Sequence, residues 1–148
     1  MVTGDVYEAA RNKRHVLFLF DNAGEIGFDL LLIEQLKAMG SQVALVLKEE
    51  PFFEDATLRD AIYFGIDKLS DRILSVKTLF IPGENTSALD DACKESDLVI
   101  AKGTFNFEAL YGEDLGKPVI FMMKSKCGPL ARKSGVDPGN FFVRLENG

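Results

Sequence analysis

The most constraining feature of this chain is residues 15–29, where an apolar run ends in two polar residues and a turn. The run His15–Phe20 is typical of a buried strand, and Asp21 and Asn22 follow it directly. After a short turn, Glu25 opens a segment with the apolar spacing of a helix. In open α/β sheets, ligands bind outside the carboxyl ends of the strands. The segment therefore predicts an α/β fold with a ligand crevice beside Asp21 and Asn22.

Strand and helix patterns alternate along the rest of the chain. Because most of the predicted strands are short and apolar on both faces, they indicate a sheet covered by helices on both sides. We predict a doubly wound α/β fold with a mostly parallel sheet of about six strands, a Rossmann-like three-layer sandwich. The predicted strands are His15–Phe20, Gln42–Lys48, Thr78–Ile81, Leu98–Ala101, Pro118–Met123 and Asn140–Leu145. The predicted helices are Ile26–Met39, Thr57–Phe64, Ser87–Glu95, Asn106–Tyr111 and Cys127–Ser134, and residues 66–76 are predicted to be a loop with one helical turn around 69–74.

Length and composition indicate one domain. The chain has 148 residues, of which 47% are hydrophobic, and this is enough for a sizeable core. Residues 1–14 are charged and polar and predict an amphipathic lead-in helix over Asp5–Asn12, and residues 15–148 are expected to form a single α/β domain. No signal-peptide pattern opens the sequence, and no apolar run approaches the ~20 residues of a membrane span. We therefore expect a cytoplasmic protein.

Charge and residue usage exclude several function classes. The net charge of −6 argues against nucleic acid or an anionic membrane as the main partner. His15 is the only histidine, which excludes a Ser-His-Asp triad and a multi-histidine metal site within the chain. Cys93 and Cys127 lack zinc-ligand spacing and are expected to be reduced thiols. No GxGxxG follows the first strand, so a dinucleotide site is not predicted.

Oxygen-bearing side chains follow the first two predicted strands. Asp21 and Asn22 carry the kind of ligands that Mg²⁺ and Mn²⁺ prefer. Asp55 follows the second strand and precedes a helix, so it could cap that helix. It could also be a third cation ligand, because adjacent parallel strands end side by side. The local pattern leaves both roles open.

Two further strand ends carry groups suited to an anion. After the fourth predicted strand, Gly103 permits close backbone approach and the following amides open a helix whose N-terminus can bind an anion. A glycine turn capped by Asn106 would explain the same residues. After the fifth strand, Lys124 and Lys126 could hold a phosphate or could be solvated flanking lysines. Carboxylate, amide and ammonium groups at three strand ends together predict a metal-assisted phosphate site.

These segments, in this order, resemble the damage-control phosphatases, a metal-dependent family. The resemblance extends over roughly residues 15–145 and rests on residues 21–25, 54–57, 96–108 and 124–127. It implies a divalent metal, Mn²⁺, Co²⁺, Ni²⁺ or Mg²⁺, held by Asp21, Asn22 and Asp55. It also implies that residues 15–148 form a phosphatase-like domain in which Asp21 and Asp55 take part in catalysis.

The resemblance implies roles for residues around the metal as well. The implied phosphate- and substrate-binding residues are Gly103, Thr104, Asn106 and Lys126. Residues implied to border and support the site are Glu25, Lys102 and Glu108. Asp97 belongs to the same stretch but precedes its strand, so we predict a structural role for it at the amino edge of the sheet.

The function predicted from these features is metal-dependent hydrolysis of small phosphomonoesters, such as sugar phosphates or damaged phosphorylated metabolites. The resemblance implies a helical region ahead of the Asp-Asn pair, where this chain has only 14 residues. We therefore expect a homo-oligomer or a partner subunit to supply that region. The alternatives are a non-catalytic metal- or phosphate-binding module, or one subunit of a split enzyme. A carboxyl methyltransferase ranks last, because the turn after Asn22 is a poor match to a cofactor-binding turn.

Overall fold

One sheet runs through the computed structural model, which describes residues 2–3 and 5–147 of the chain. Met1, Gly4 and Gly148 belong to the predicted ranges 1–14 and 15–148 but lie outside the described residues. Within the described part, the sheet has seven strands: β1 (Val2–Thr3), β2 (His15–Leu19), β3 (Gln42–Lys48), β4 (Arg72–Val76), β5 (Leu98–Lys102), β6 (Val119–Lys124) and β7 (Phe141–Glu146).

The strand order across the sheet is β1-β7-β6-β5-β2-β3-β4. Strands β2 to β6 pair in parallel, and β7 runs antiparallel to β6. The described helices are α1 (Val6–Ala10), α2 (Ile26–Ala38), α3 (Leu58–Phe64), α4 (Ser87–Glu95), α5 (Gly103–Leu110) and α6 (Gly128–Ser134). The predicted α/β fold with a mostly parallel sheet is therefore confirmed, with the short strand β1 as an addition that the sequence did not predict.

Helices cover both faces of the sheet because successive side chains of each central strand point to opposite sides. In β2, Val16 and Phe18 pack under α1, α2 and α3. Leu17 and Leu19 of the same strand pack under α4, α5 and α6. This arrangement produces the three layers that the uninterrupted apolar strands predicted. None of the helices in residues 2–3 and 5–147 has the length and apolar character needed to cross a bilayer.

The direction of the chain along the sheet reverses at β2. The chain passes from β2 to β3 and β4 on one side, and then returns to place β5 on the other side of β2. The carboxyl ends of β2 and β5 therefore flank the topological switch point, where open α/β sheets bind their ligands. Asp21 follows β2 closely, and Gly103 follows β5 directly.

The strand predicted at Thr78–Ile81 is wrong. The fourth strand is β4, Arg72–Val76, in the stretch predicted to be a loop with a helical turn. As the edge strand, β4 alternates half-buried and exposed residues and pairs with β3 alone, so its local pattern is weak. The apolar run at 78–81 instead buries Phe80 without pairing to a strand. The helical turn predicted around 69–74 is also wrong, because β4 begins at Arg72 and the 3-10 helix of this stretch lies earlier, at Ile66–Lys68.

Asp97 lies at the amino end of β5, on the side of the sheet away from the switch point. Its carboxylate accepts hydrogen bonds from the backbone N–H groups of Arg14 and His15, both at 3.0 Å. These hydrogen bonds, that of His15 above all, hold the pKa of Asp97 below its usual range. The contacts agree with the structural role predicted for this residue.

We expect Asp97→Ala to lower the free energy of unfolding by about 1 kcal/mol near neutral pH, because two backbone donors lose their acceptor. Folding lowers the pKa of Asp97, so its contribution is present above the pKa of the unfolded chain, about 4, and is lost as pH falls through the folded value. Urea unfolding of both proteins at about pH 7 and about pH 2.5 measures this. A difference that does not shrink at the acidic pH would contradict the assignment.

Candidate active site

The ends of β2 and β3 are joined by backbone hydrogen bonds beyond the sheet. The Ala56 N–H donates to the Asp21 carbonyl at 2.7 Å, and Asn22 forms an antiparallel bridge with Asp55. Residues that face each other in such a bridge carry neighbouring side chains. The segments that follow these two strands therefore lie side by side, as was predicted for the ends of adjacent parallel strands.

The Asp21 carboxyl group packs directly against the backbone of Gly103. Gly103 has a φ of +81°, and a Cβ built on it would overlap the carboxyl carbon and both oxygens of Asp21. Glycine is therefore required here both for the left-handed backbone conformation and for the space that Asp21 occupies. This contact joins the ends of β2 and β5 at the switch point.

Charged side chains at the ends of three strands act electrostatically on Asp21. Burial, the nearby charge of Asp55 and the charge of Glu25 raise the pKa of Asp21 to about 6, against the opposing charges of Lys126 and Lys102. Asp55 follows β3, Lys102 ends β5, and Lys126 follows β6. The structure thus brings together the carboxylates and ammonium groups that the sequence placed at separate strand ends.

The capping alternative for Asp55 is wrong. Thr57 is the N-cap of α3, and its backbone N–H donates to the Asp60 carboxylate at 2.8 Å in a capping box. The Asp55 carboxylate instead lies 3.4 Å from the Lys48 ammonium group, and both side chains are about nine-tenths buried. Asp55 is therefore an almost buried charged group beside Asp21, and helix capping does not account for it.

Asn22 shapes the turn that leads into α2. Its Oδ1 accepts a hydrogen bond from the Gly24 N–H at 2.7 Å, and its Nδ2 donates to the Glu54 carboxylate at 3.1 Å. An amide oxygen has two lone pairs, so Oδ1 retains one acceptor position. Asn22 can therefore hold the turn and still offer an oxygen ligand.

The donor set of Asp21, Asn22 and Asp55 fits a hard divalent cation. Two carboxylates and an amide oxygen are ligands of the type that Mg²⁺ and Mn²⁺ prefer. The raised pKa of Asp21, beside a second acid, is the condition that a bound cation would relieve. Within residues 2–3 and 5–147, no three or more His, Cys, Asp or Glu side chains gather as a ready-made metal cluster. The predicted ligands Asp21, Asn22 and Asp55 include only two acidic residues, so the absence of such a cluster does not test them. Their ligand role stays a prediction.

A cavity of about 290 Å³ opens at this edge of the sheet. The predicted residues Asp21, Gly103, Thr104 and Lys126 all line it. Gly103 and Thr104 form the first turn of α5, whose backbone N–H groups are not used within the helix. The Thr104 hydroxyl oxygen is buried and has no hydrogen-bond partner among the described residues. These groups are suited to an anionic ligand.

Lys102 lines the cavity and forms an ion-pair cluster with the buried Asp29 and the exposed Glu25. Its Nζ lies 2.6 Å from Glu25 Oε2 and 2.6 Å from Asp29 Oδ1. Burial lowers the pKa of Lys102, but the hydrogen bonds to Asp29 and Glu25 outweigh it and raise the pKa overall. Lys102 is therefore held as a cation in a fixed position, as its predicted supporting role requires.

Sequence reasoning missed Asp29 and Lys48. Asp29 lies four residues after Glu25, which places both on one face of α2, and this spacing was the available signal. Lys48 is the last residue of β3, so its position at the end of a predicted strand was the available signal. Neither pairing was predictable, because Asp29 meets Lys102 and Lys48 meets Asp55 only in the folded chain.

Asn106 and Glu108 lie away from the cavity wall. The Asn106 amide donates to the carbonyls of Phe20 at 3.0 Å and Lys102 at 2.7 Å, which ties the ends of β2 and β5 together. The helix begins at Gly103, so Asn106 is not its cap. Glu108 is exposed on the same helix. The substrate-binding role of Asn106 and the supporting role of Glu108 stay predictions.

The family model of the damage-control phosphatase ARMT1-like domain matches residues 3–140 of this chain. The chain belongs to this family. It is 36% identical over 137 residues to a damage-control phosphatase of Archaeoglobus fulgidus, a match that covers 88% of this chain and 46% of that protein. It is 32% identical over 142 residues to a damage-control phosphatase of Pyrococcus horikoshii, covering 91% of this chain and 48% of that protein.

The solved structure of a DUF89 family protein from Pyrococcus horikoshii has the same fold. It matches this ARMT1-like chain with a TM-score of 0.85 at 29% identity, covering 97% of this chain and 50% of that one. The family resemblance predicted from the motifs is thus confirmed. The chain spans about half the length of the relatives that it matches.

Proposed function

We propose that this ARMT1-like domain is the catalytic part of a metal-dependent phosphatase acting on small phosphomonoesters, the class that includes sugar phosphates and damaged phosphorylated metabolites. The observation that carries the proposal is the packing of Asp21 on Gly103 at the switch point, with the charge of Lys126 acting on the same carboxylate. The names of two relatives as damage-control phosphatases support the same chemistry.

Asp21, Asn22 and Asp55 would hold the metal, as Mn²⁺, Co²⁺, Ni²⁺ or Mg²⁺. When bound, a divalent cation supplies Lewis acidity toward phosphoryl oxygens and lowers the pKa of water. The reaction consumes one water and one phosphomonoester, breaks the bond between phosphorus and the alcohol oxygen, and releases inorganic phosphate and the alcohol.

The chain's own groups would orient the phosphate and balance its charge. The Lys126 ammonium group and the first N–H groups of α5, at Gly103 and Thr104, would bind the phosphoryl oxygens. Lys102, held by ion pairs to Glu25 and Asp29, contributes an ordered polar wall to the same cavity. Asp21 and Asp55 would act on the attacking side, as proton acceptor or as nucleophile, and burst kinetics separates these two roles.

We expect purified protein to release phosphate from p-nitrophenyl phosphate with one or more of Mn²⁺, Co²⁺, Ni²⁺ and Mg²⁺, and to lose this activity in EDTA. Lys126→Gln should raise KM by about tenfold, because a phosphate-binding charge is removed. Lys94→Gln, an exposed lysine at the end of α4, is the matched control and should leave KM unchanged. Absence of release with all four metals, or an unchanged KM in Lys126→Gln, would contradict the proposal.

A second candidate is a metal- and phosphate-binding module that works with further polypeptide. It is favoured because about half of the length of each relative lies outside its match to this chain. In that case calorimetry would detect binding of inorganic phosphate in the presence of Mn²⁺ without hydrolysis of any ester. Light scattering would show whether a second copy of the chain supplies the partner, as the sequence led us to expect.

A further inference from the structure

One wall of the cavity is apolar and comes from the strands at the β1 side of the sheet. Met122 of β6 lies opposite Val143 of β7, and Val143 lies opposite Val2 of β1. Phe141 precedes Val143 by two residues, so it shares the same face of β7. Together these four side chains form an apolar strip in the lining of the same cavity as Asp21 and Lys126.

The strip remains accessible beside the charged groups. Phe141 and Val2 are 68% and 67% exposed, although both line the cavity. The Lys124 ammonium group lies 5.3 Å from the centroid of the Phe141 ring, and Lys124 also lines this cavity. The cavity lining therefore combines charged groups that suit a phosphate with an exposed apolar strip.

The charged groups and the apolar strip place different demands on the two parts of a phosphomonoester. A hydroxyl-rich alcohol laid on Met122, Val143 and Phe141 would find no side-chain hydrogen-bond partner on them, and desolvated hydroxyls without partners are costly. A planar apolar ring at the same place would gain from the removal of apolar surface from water. The volume of about 290 Å³ is at the small end for ligand cavities, which suits a single ring beside the phosphate.

Resting on the phosphatase function proposed above, we propose that this site selects phosphomonoesters whose alcohol part carries one apolar ring over esters of hydroxyl-rich alcohols, and that Phe141 determines this preference. Benzyl phosphate and glycerol 1-phosphate make a suitable pair of substrates. Both release a primary alkoxide, so their rates differ mainly through contacts with the alcohol part.

In the presence of Mn²⁺, we expect kcat/KM for benzyl phosphate to exceed that for glycerol phosphate by about tenfold. Phe141→Ser should reduce this ratio by about fivefold, mainly through KM for benzyl phosphate. Tyr63→Ser is the matched control, because Tyr63 is also an exposed aromatic residue, lies on α3 and does not line the cavity. It should leave the ratio unchanged.

A binding measurement separates this inference from the phosphatase proposal. Benzylphosphonate and hydroxyethylphosphonate cannot be hydrolysed, and calorimetry should show tighter binding of benzylphosphonate, by about tenfold, and loss of that preference in Phe141→Ser. Preferential binding without hydrolysis of either ester would support the apolar wall and overturn only the phosphatase function. Hydrolysis or binding with no preference for the ring, or a preference that Phe141→Ser retains, would overturn this inference alone, and failure of both phosphonates to bind would overturn it as well.

Discussion

Asp21→Asn is expected to lower kcat for metal-dependent phosphate release by about 10³-fold, the scale of losing a central charged group in such a site. Asp21 packs on Gly103, and the charges of Asp55, Glu25, Lys102 and Lys126 all act on its carboxylate. Asparagine has nearly the same shape, so it should keep the packing while removing the charge. Steady-state kinetics with p-nitrophenyl phosphate measures the effect.

The same variant tests whether the loss is chemical and not a folding defect. In EDTA, Asp21→Asn should be at least as stable to urea as the wild type, because it removes a half-buried charge beside Asp55. Asp91→Asn, an exposed acid on α4, serves as the control and should keep full activity. Undiminished kcat in Asp21→Asn, or an equal loss in Asp91→Asn, would remove Asp21 from the catalytic role proposed for it.

Gly103→Ala is expected to reduce kcat by at least about 10²-fold, because the new Cβ would occupy the position of the Asp21 carboxyl group and displace it. The substitution also places alanine at a φ of +81°, which costs about 1–2 kcal/mol of stability. The two effects are separable by experiment. Kinetics reports the displaced carboxylate, and urea unfolding reports the backbone strain.

Gly65→Ala is the matched control for backbone strain. Gly65 has a similar φ of +74°, but a Cβ there would meet no atom within 4 Å. We therefore expect Gly65→Ala to lose stability by about the same 1–2 kcal/mol and to keep its kcat. If Gly103→Ala retained wild-type kcat, the contact between Gly103 and Asp21 would have no catalytic importance. If Gly65→Ala lost as much activity as Gly103→Ala, strain would explain the result.

Local pattern was sufficient for the elements whose residues are apolar over their whole length. β2, β3, β5 and β6 were predicted within about a residue of their observed ends, because central strands of a parallel sheet are apolar on both faces. β4 was misplaced because an edge strand is only half-buried, so its residues carry little strand signal of their own. What makes β4 a strand is its pairing with β3.

The alternatives left open for Asp55 illustrate a different limit. The pattern Thr57-x-x-Asp60 is a local capping signal, and it identifies Thr57 as the cap without any knowledge of the fold. The pairing of Asp55 with Lys48 is not local in this sense, because it requires the segment after β3 to turn back along the end of that strand. The sequence could therefore have excluded a capping role for Asp55, but could not have identified its partner.

The sequence alone determined the α/β class, the family, and the positions of Asp21 and Lys126 after the ends of their strands, because a strand's apolar run and the polar residues after it are contiguous in the chain. Only the tertiary structure decided that Gly103 makes room for the Asp21 carboxylate, that Asp29 fixes Lys102, and that an apolar strip lines the same cavity. Each of these depends on residues far apart in sequence, which come into contact through the strand order of the sheet.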